Sequence, residues 1–146
     1  LMPGYFRDPE ITAQVMKPGG WYASGDLGRQ APDGALFVVG RLKEMIIRSG
    51  FNVYPGEIEA VLLAWPGVQK AAVAGRKQAD GNEEILAFVE PRPGAVLDLD
   101  ALRAHVHATL APYKQPSVLQ LVPEMPMTHS GKVLKRELVA RLPSAA

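Results

Sequence analysis

Fourteen glycines and 13 prolines are spread between the apolar segments of this 146-residue chain and do not gather in one tract. They read as many tight turns between apolar segments, not as a low-complexity tract. Between the turns, 47% apolar and 21% charged residues are ordinary globular proportions, and the length can bury a core without staples. Sixteen Lys plus Arg against 15 Asp plus Glu leave a net charge of +1, so no strong field recruits nucleic acid or an anionic membrane. The absence of Cys removes a disulfide scaffold, a thiolate zinc site and a cysteine nucleophile. No apolar run approaches the roughly 20 residues of a membrane span and no signal peptide opens the chain. A cytoplasmic location is expected.

Turn signals divide the chain. A short helix is expected over Pro9–Met16, a strand at Trp21–Ala23, and a hairpin where Asp33-Gly34 precedes the apolar run Ala35–Val39. Met45-Ile46-Ile47 marks a buried strand over Glu44–Arg48. Pro55 opens a helix whose Ile58, Val61, Leu62 and Trp65 share one face, closed by Pro66-Gly67. Val68–Gly75 and Ile85–Glu90 are β-rich and joined by a polar loop. Leu99, Leu102, Val106 and Leu110 mark a second helix, Val118–Val122 a third strand, and Val133–Arg141 a basic terminal helix. The fold class is therefore α+β: a small two-layer sandwich, a short β-hairpin followed by a three-stranded sheet packed with helices. Residues 1–42 do not obviously close on that core and read as the tail of a preceding domain, with 43–146 as a small domain of its own.

Without Cys, the reactive groups are carboxylates, lysines, arginines, hydroxyls and three histidines. His105 and His107 stand two apart on a helix, so they cannot share a metal, and no metal site is expected. Ser24-Gly25-Asp26 sets a carboxylate at a glycine turn, suited to a ribose diol or to a turn cap. Gly40-Arg41-Leu42-Lys43 sets two cations in a connector, suited to phosphate or simply solvated. Thr128-His129-Ser130-Gly131-Lys132 sets a lysine on a polar loop beside a glycine. Singly, each signal is weak.

Together, in order and spacing, they are specific. Trp21-Tyr22-Ala23-Ser24-Gly25-Asp26-Leu27-Gly28, then the long run from Gly40-Arg41-Leu42-Lys43 to Gly56-Glu57-Ile58-Glu59, then Leu110-Ala111-Pro112-Tyr113-Lys114 and Pro126–Lys135, resemble the ANL adenylate-forming superfamily of acyl-CoA synthetases, peptide-synthetase adenylation domains and luciferases. The resemblance implies a ligase that joins a carboxylic acid to ATP as an acyl-adenylate and then passes the acyl group to the thiol of CoA, with a small C-terminal domain rotating between the steps. By this resemblance Asp26 binds the ribose hydroxyls, Arg41 lies beside ribose and phosphate, and Lys43 is the hinge. Lys132 reaches the α-phosphate and carboxylate in adenylation, and Gly50 lines the pantetheine tunnel. Mg²⁺ and the acyl pocket belong to the large N-terminal domain, the expected partner.

Ser24 stands where the family usually has Thr, and Ile47 where luciferases carry a second lysine, which disfavours light emission. Opening at Leu1 within turn-rich sequence, the chain is expected to be a piece of a longer protein. Its finish at Ala146, soon after the Lys132 motif, favours a free-standing ligase over a fragment of a peptide-synthetase-type adenylation domain serving a carrier protein, or a non-catalytic nucleotide- or partner-binding module.

Overall fold

In a computed structural model residues 2–143 are described; Leu1 and 144–146, which include the chain ends noted above, lie outside the described residues. The chain divides into two compact units, Leu1–Lys43 and Glu44–Ala146.

The first unit has three pieces. Helix α1 (Pro9–Val15) starts on Asp8, whose carboxylate accepts the Ile11 N–H at 2.9 Å, with Pro9 pre-set for the first turn. Strands β1 (Met16–Lys17) and β2 (Trp21–Tyr22) pair around Gly19-Gly20. Strands β3 (Asp26–Gln30) and β4 (Leu36–Arg41) form the expected hairpin, running in register from Gln30↔Leu36 to Asp26↔Arg41 with an irregularity at Leu27/Gly28. Its turn is closed by the Asp33 carboxylate on the Ala35 N–H and by Gly34 at φ 88°. No described residue of this unit is buried: Leu36 and Val38 are 79% and 76% exposed.

The second unit holds the core. A hairpin of β5 (Ile46–Arg48) and β6 (Phe51–Val53) leads into α2 (Pro55–Leu63), then into the antiparallel pair β7 (Val68–Lys77) and β8 (Glu83–Pro91). Helix α3 (Leu99–Thr109), capped by Asp98 on two backbone N–H groups, carries the chain to β9 (Val118–Leu121), which lies parallel to β8; α4 (Lys135–Ala140) ends the unit. The sheet order is β7-β8-β9.

Strand β8 is the spine, and its sequence says why. Ile85-Leu86-Ala87-Phe88-Val89 is an unbroken apolar run, the mark of a strand covered on both faces. Ile85, Ala87 and Val89 join Ile46, Val53, Ile58, Leu62, Leu102 and Val106 in one cluster beneath α2 and α3. Leu86 and Phe88 join Ala72, Val122, Met125 and Leu138 in a second cluster beneath α4 and the segment before it. The α+β class holds, with helices on both sides of the sheet where the sequence suggested two layers. Each fully buried Leu or Ile here contributes about 1.5–3 kcal/mol.

Several details differ from the sequence reading: Gly40 and Arg41, expected in a connector, are the last two residues of β4, where Arg41 pairs with Asp26 across the hairpin, and three others follow. The loop between β7 and β8 shrinks to residues 78–82, because Arg76 and Glu84 pair across the strands at 2.7 Å and extend the ladder into polar sequence. Phe51–Val53 is a strand in its own right: Arg48↔Phe51 are partners, so Ser49 and Gly50 form a two-residue turn, both at positive φ (52° and 79°), as a type I′ hairpin turn requires. Helix α4 begins at Lys135, two residues late, because Val133 bridges Met127 and Leu134 donates to the Pro126 carbonyl at 2.7 Å.

Candidate functional site

In the first unit the hairpin register sets Asp26 opposite Arg41, the last residue of β4, and the two side chains pair at 3.0 Å between Nε and Oδ1. Both remain partly exposed. The Ser24 hydroxyl accepts the Asp26 N–H at 3.1 Å, and Gly25, at φ 77°, gives its carbonyl to the Leu42 N–H at 2.8 Å. Ser24, not Asp26, therefore makes the turn, and the Asp26 carboxylate is left to pair with Arg41. A surface cleft of about 280 Å³ is lined by Ser24, Gly25, Arg41, Leu42 and Lys43. Lys43 is exposed, lies in a 3₁₀ turn over Leu42–Glu44, and is the last residue of the first unit. Ser24 and Gly25 of one motif and Arg41, Leu42 and Lys43 of the other thus line one cleft.

Lys132 stands at the end of a small antiparallel ladder in the second unit. Thr128 donates its N–H to the Lys132 carbonyl at 2.7 Å, and its hydroxyl accepts the Lys132 N–H at 3.0 Å. The same hydroxyl pairs with Ser130 at 2.9 Å, and Gly131 at φ 79° closes the turn. These bonds fix the backbone on both sides of Lys132 while its side chain is exposed. A cation presented from a tight turn can approach developing negative charge without dragging backbone with it.

Gly50 sits elsewhere. Its hairpin is pinned by side chains from distant sequence: Glu83 accepts the Ile47 N–H at 2.7 Å, Asn82 accepts the Ser49 N–H at 2.8 Å, and Arg48 donates to the Gln115 carbonyl. Phe51 stacks on Tyr113 at 4.4 Å, and Lys114 pairs with Glu57 at 2.6 Å. The Glu57 carboxylate raises the Lys114 ammonium above its ordinary value, against the opposing pull of burial. A Cβ at position 50 would meet nothing within 4 Å, so the surface above Gly50 is open. Ile46 and Val53 of this hairpin belong to the cluster beneath α2 and α3, whereas Val133, next to Lys132, packs on the opposite cluster. Gly50 and Lys132 are therefore built onto opposite faces of one sheet.

Among the described residues, no group of three His, Asp or Glu side chains is placed to hold a metal ion. His105 lies against the Trp65 ring at 5.0 Å, and His107 and His129 are exposed. Sequence reasoning passed over Glu90, the one buried charged side chain among the described residues, because its partners come from 20 and 35 residues away.

The model of the family described as AMP-binding enzyme C-terminal domain matches residues 57–132. The 2-succinylbenzoate–CoA ligase of Geobacillus kaustophilus is 43% identical over 96% of this chain, which spans 28% of that protein. The sulfoacetate–CoA ligase of Cupriavidus necator is 40% identical over 95% of the chain and 27% of its own length. Among solved structures, an amide bond synthetase from Marinactinospora thermotolerans superposes with a TM-score of 0.88 at 39% identity, over 97% of this chain and 29% of its own. An ATP-bound MatB from Rhodopseudomonas palustris gives 0.84 at 37% identity, over 93% of this chain and 27% of its own. The chain thus spans little more than a quarter of the proteins it matches. No helix among the described residues is long and apolar enough to cross a membrane.

Proposed function

The chain belongs to the AMP-binding enzyme C-terminal domain family, and from that premise we propose that it serves an ATP-dependent acyl-CoA synthetase. In this reading residues 1–42 are the tail of the large N-terminal domain and 43–146 are the mobile C-terminal domain. The substrates are a carboxylic acid, ATP and CoA, and Mg²⁺ is held by the N-terminal domain. Asp26 takes the ribose hydroxyls through its partly exposed carboxylate. Arg41 holds that carboxylate and adds positive charge near the phosphates. Lys43 is the hinge. Lys132 meets charge as it develops on the α-phosphate during adenylation, and the Gly50 hairpin walls the pantetheine path during thioester formation.

One observation carries the proposal: a lysine on a braced turn and an open glycine turn occupy opposite faces of one small sheet. A domain with two such faces can serve two chemical steps in turn, presenting one and then the other by rotation.

Half-reactions of the full-length protein test this. Lys132→Ala should slow carboxylate-dependent ATP–pyrophosphate exchange by about two to three decades, the scale of lost transition-state charge stabilisation. Thioester formation from synthetic acyl-adenylate should persist. Equal loss in both half-reactions would make the lysine structural and overturn the assignment.

A further inference from the structure

Glu90 is 4% exposed and shares a face of β8 with the buried Leu86 and Phe88. An apolar residue would suit that position, and a buried carboxylate is costly unless something requires it. Lys70, its cross-strand partner, donates to Oε1 at 2.6 Å but is a third exposed and can be satisfied by water. The second partner cannot. After Val122, whose N–H still reaches the Val89 carbonyl, the chain leaves the sheet. Met125 is buried at 1% exposure beside Pro126, and its N–H goes to Glu90 Oε2 at 2.5 Å.

From Met125 the bonding runs without a break to the lysine. The Pro126 carbonyl accepts the Leu134 N–H, Met127 bridges Val133, and Thr128 holds Lys132 at both its carbonyl and its N–H. Met125 is the root of this ladder. Burial pushes the Glu90 carboxyl up, but the Lys70 hydrogen bond, the Met125 N–H and the Lys70 charge together bring it below its ordinary value. It is therefore a permanent acceptor at neutral pH.

Resting on the reading of Lys132 above, we infer that Glu90 is a positioning residue for adenylation: its carboxylate fixes the root of the turn that presents Lys132. The Gly50 hairpin takes its braces from Asn82, Glu83 and Gln115, so thioester formation does not depend on Glu90.

The test uses the full-length protein, with pyrophosphate exchange and thioester formation from synthetic acyl-adenylate measured side by side. Glu90→Leu removes the acceptor and should lower exchange about ten- to hundredfold through kcat, as a misplaced catalytic group does, with the thioester step unchanged. In the double variant Glu90→Gln/Lys70→Met the amide carbonyl accepts the Met125 N–H and no ammonium faces its nitrogen, so exchange should return close to wild type. A folded Glu90→Leu with full exchange overturns the inference, as does a loss shared by both half-reactions that the double variant fails to repair. If Glu90→Leu does not fold, the double variant Glu90→Met/Lys70→Met decides, because it removes the acceptor of the Met125 N–H without leaving an ammonium facing an apolar side chain. A selective fall in exchange then supports the assignment; no fall, or an equal fall in both steps, overturns it. Exchange that survives Lys132→Ala would sink the parent reading and this assignment with it, a failure separate from exchange that survives only the Glu90 variants.

Discussion

The Gly50 and Lys132 turns are alike in outline and opposite in construction. Each is a short reversal with a glycine near φ 79°. The Gly50 turn joins two strands rooted in the core through Ile46 and Val53, and side chains more than thirty residues away hold its backbone. The Lys132 turn is held by its own Thr128 and Ser130 hydroxyls and tied to the sheet at its root. Bracing from several directions suits a wall that must stay put. Local bracing suits a side chain delivered to a site and withdrawn from it.

Substitution at Gly50 should break this contrast most sharply. A Cβ there meets nothing, so the folded domain objects only to the positive φ, a cost of about 1–2 kcal/mol for any L-residue. Gly50→Ala and Gly50→Leu should therefore lose similar thermal stability. Only the leucine should obstruct the proposed thioester step in the full-length protein, by about a hundredfold or more if it excludes the pantetheine arm from a near-attack position. Pyrophosphate exchange should survive in both. If alanine and leucine slow the thioester step equally, the turn matters through its backbone and the wall assignment fails.

The two faces should also respond to opposite ends of the pH scale. Glu90 titrates below its ordinary value, so its contribution is complete above the unfolded value of about 4.3 and is lost as pH falls through the lower folded value. Lys114 titrates above its ordinary value, so its contribution is complete below about 10.4 and is lost as pH rises through the raised folded value. Melting curves across pH should show Glu90→Gln flattening the acid branch alone and Glu57→Gln flattening the alkaline branch alone. Glu90→Gln should cost about 1–3 kcal/mol at neutral pH, the scale of a hydrogen bond to a charged group, and Glu57→Gln, at a solvent-exposed pair, about 0–1 kcal/mol. A variant that flattened both branches would mean the faces are coupled.

How far the sequence could be read follows the same division. The apolar run of β8 and the spacing of Ile58 and Leu62 announce burial because burial is written as periodicity. The Asp26–Arg41 pair was legible as two separate motifs; only the hairpin register joins them. Ser49-Gly50 reads as a turn signal, yet β6 is too short to stand out until its ladder with β5 is seen. In the sequence Glu90 is simply the last residue of the β-rich segment Ile85–Glu90. Its meaning lies in Lys70 and Met125, contacts that no local pattern encodes.

The smallest effects should come from single acceptors on the two turns, and they sharpen the comparison most finely. Thr128→Val keeps the shape of the side chain but removes the hydroxyl that receives the Lys132 N–H; Asn82→Ala removes the carbonyl that receives the Ser49 N–H. Both N–H groups lie at the surface, so water can replace the lost partner and each change should cost about 0.5–1.5 kcal/mol of stability. The functional consequences should separate. Thr128 braces a turn with few other supports, so Thr128→Val should lower pyrophosphate exchange about threefold to tenfold, the kinetic equivalent of about 1 kcal/mol. The Gly50 hairpin keeps its Glu83 and Arg48 bonds when Asn82 is lost. Asn82→Ala should therefore leave the thioester step within about twofold, because redundant braces share the load. Initial rates of the two half-reactions in the full-length protein read both outcomes. A larger loss from Asn82→Ala than from Thr128→Val would reverse the assignment of the braced wall and the locally held arm.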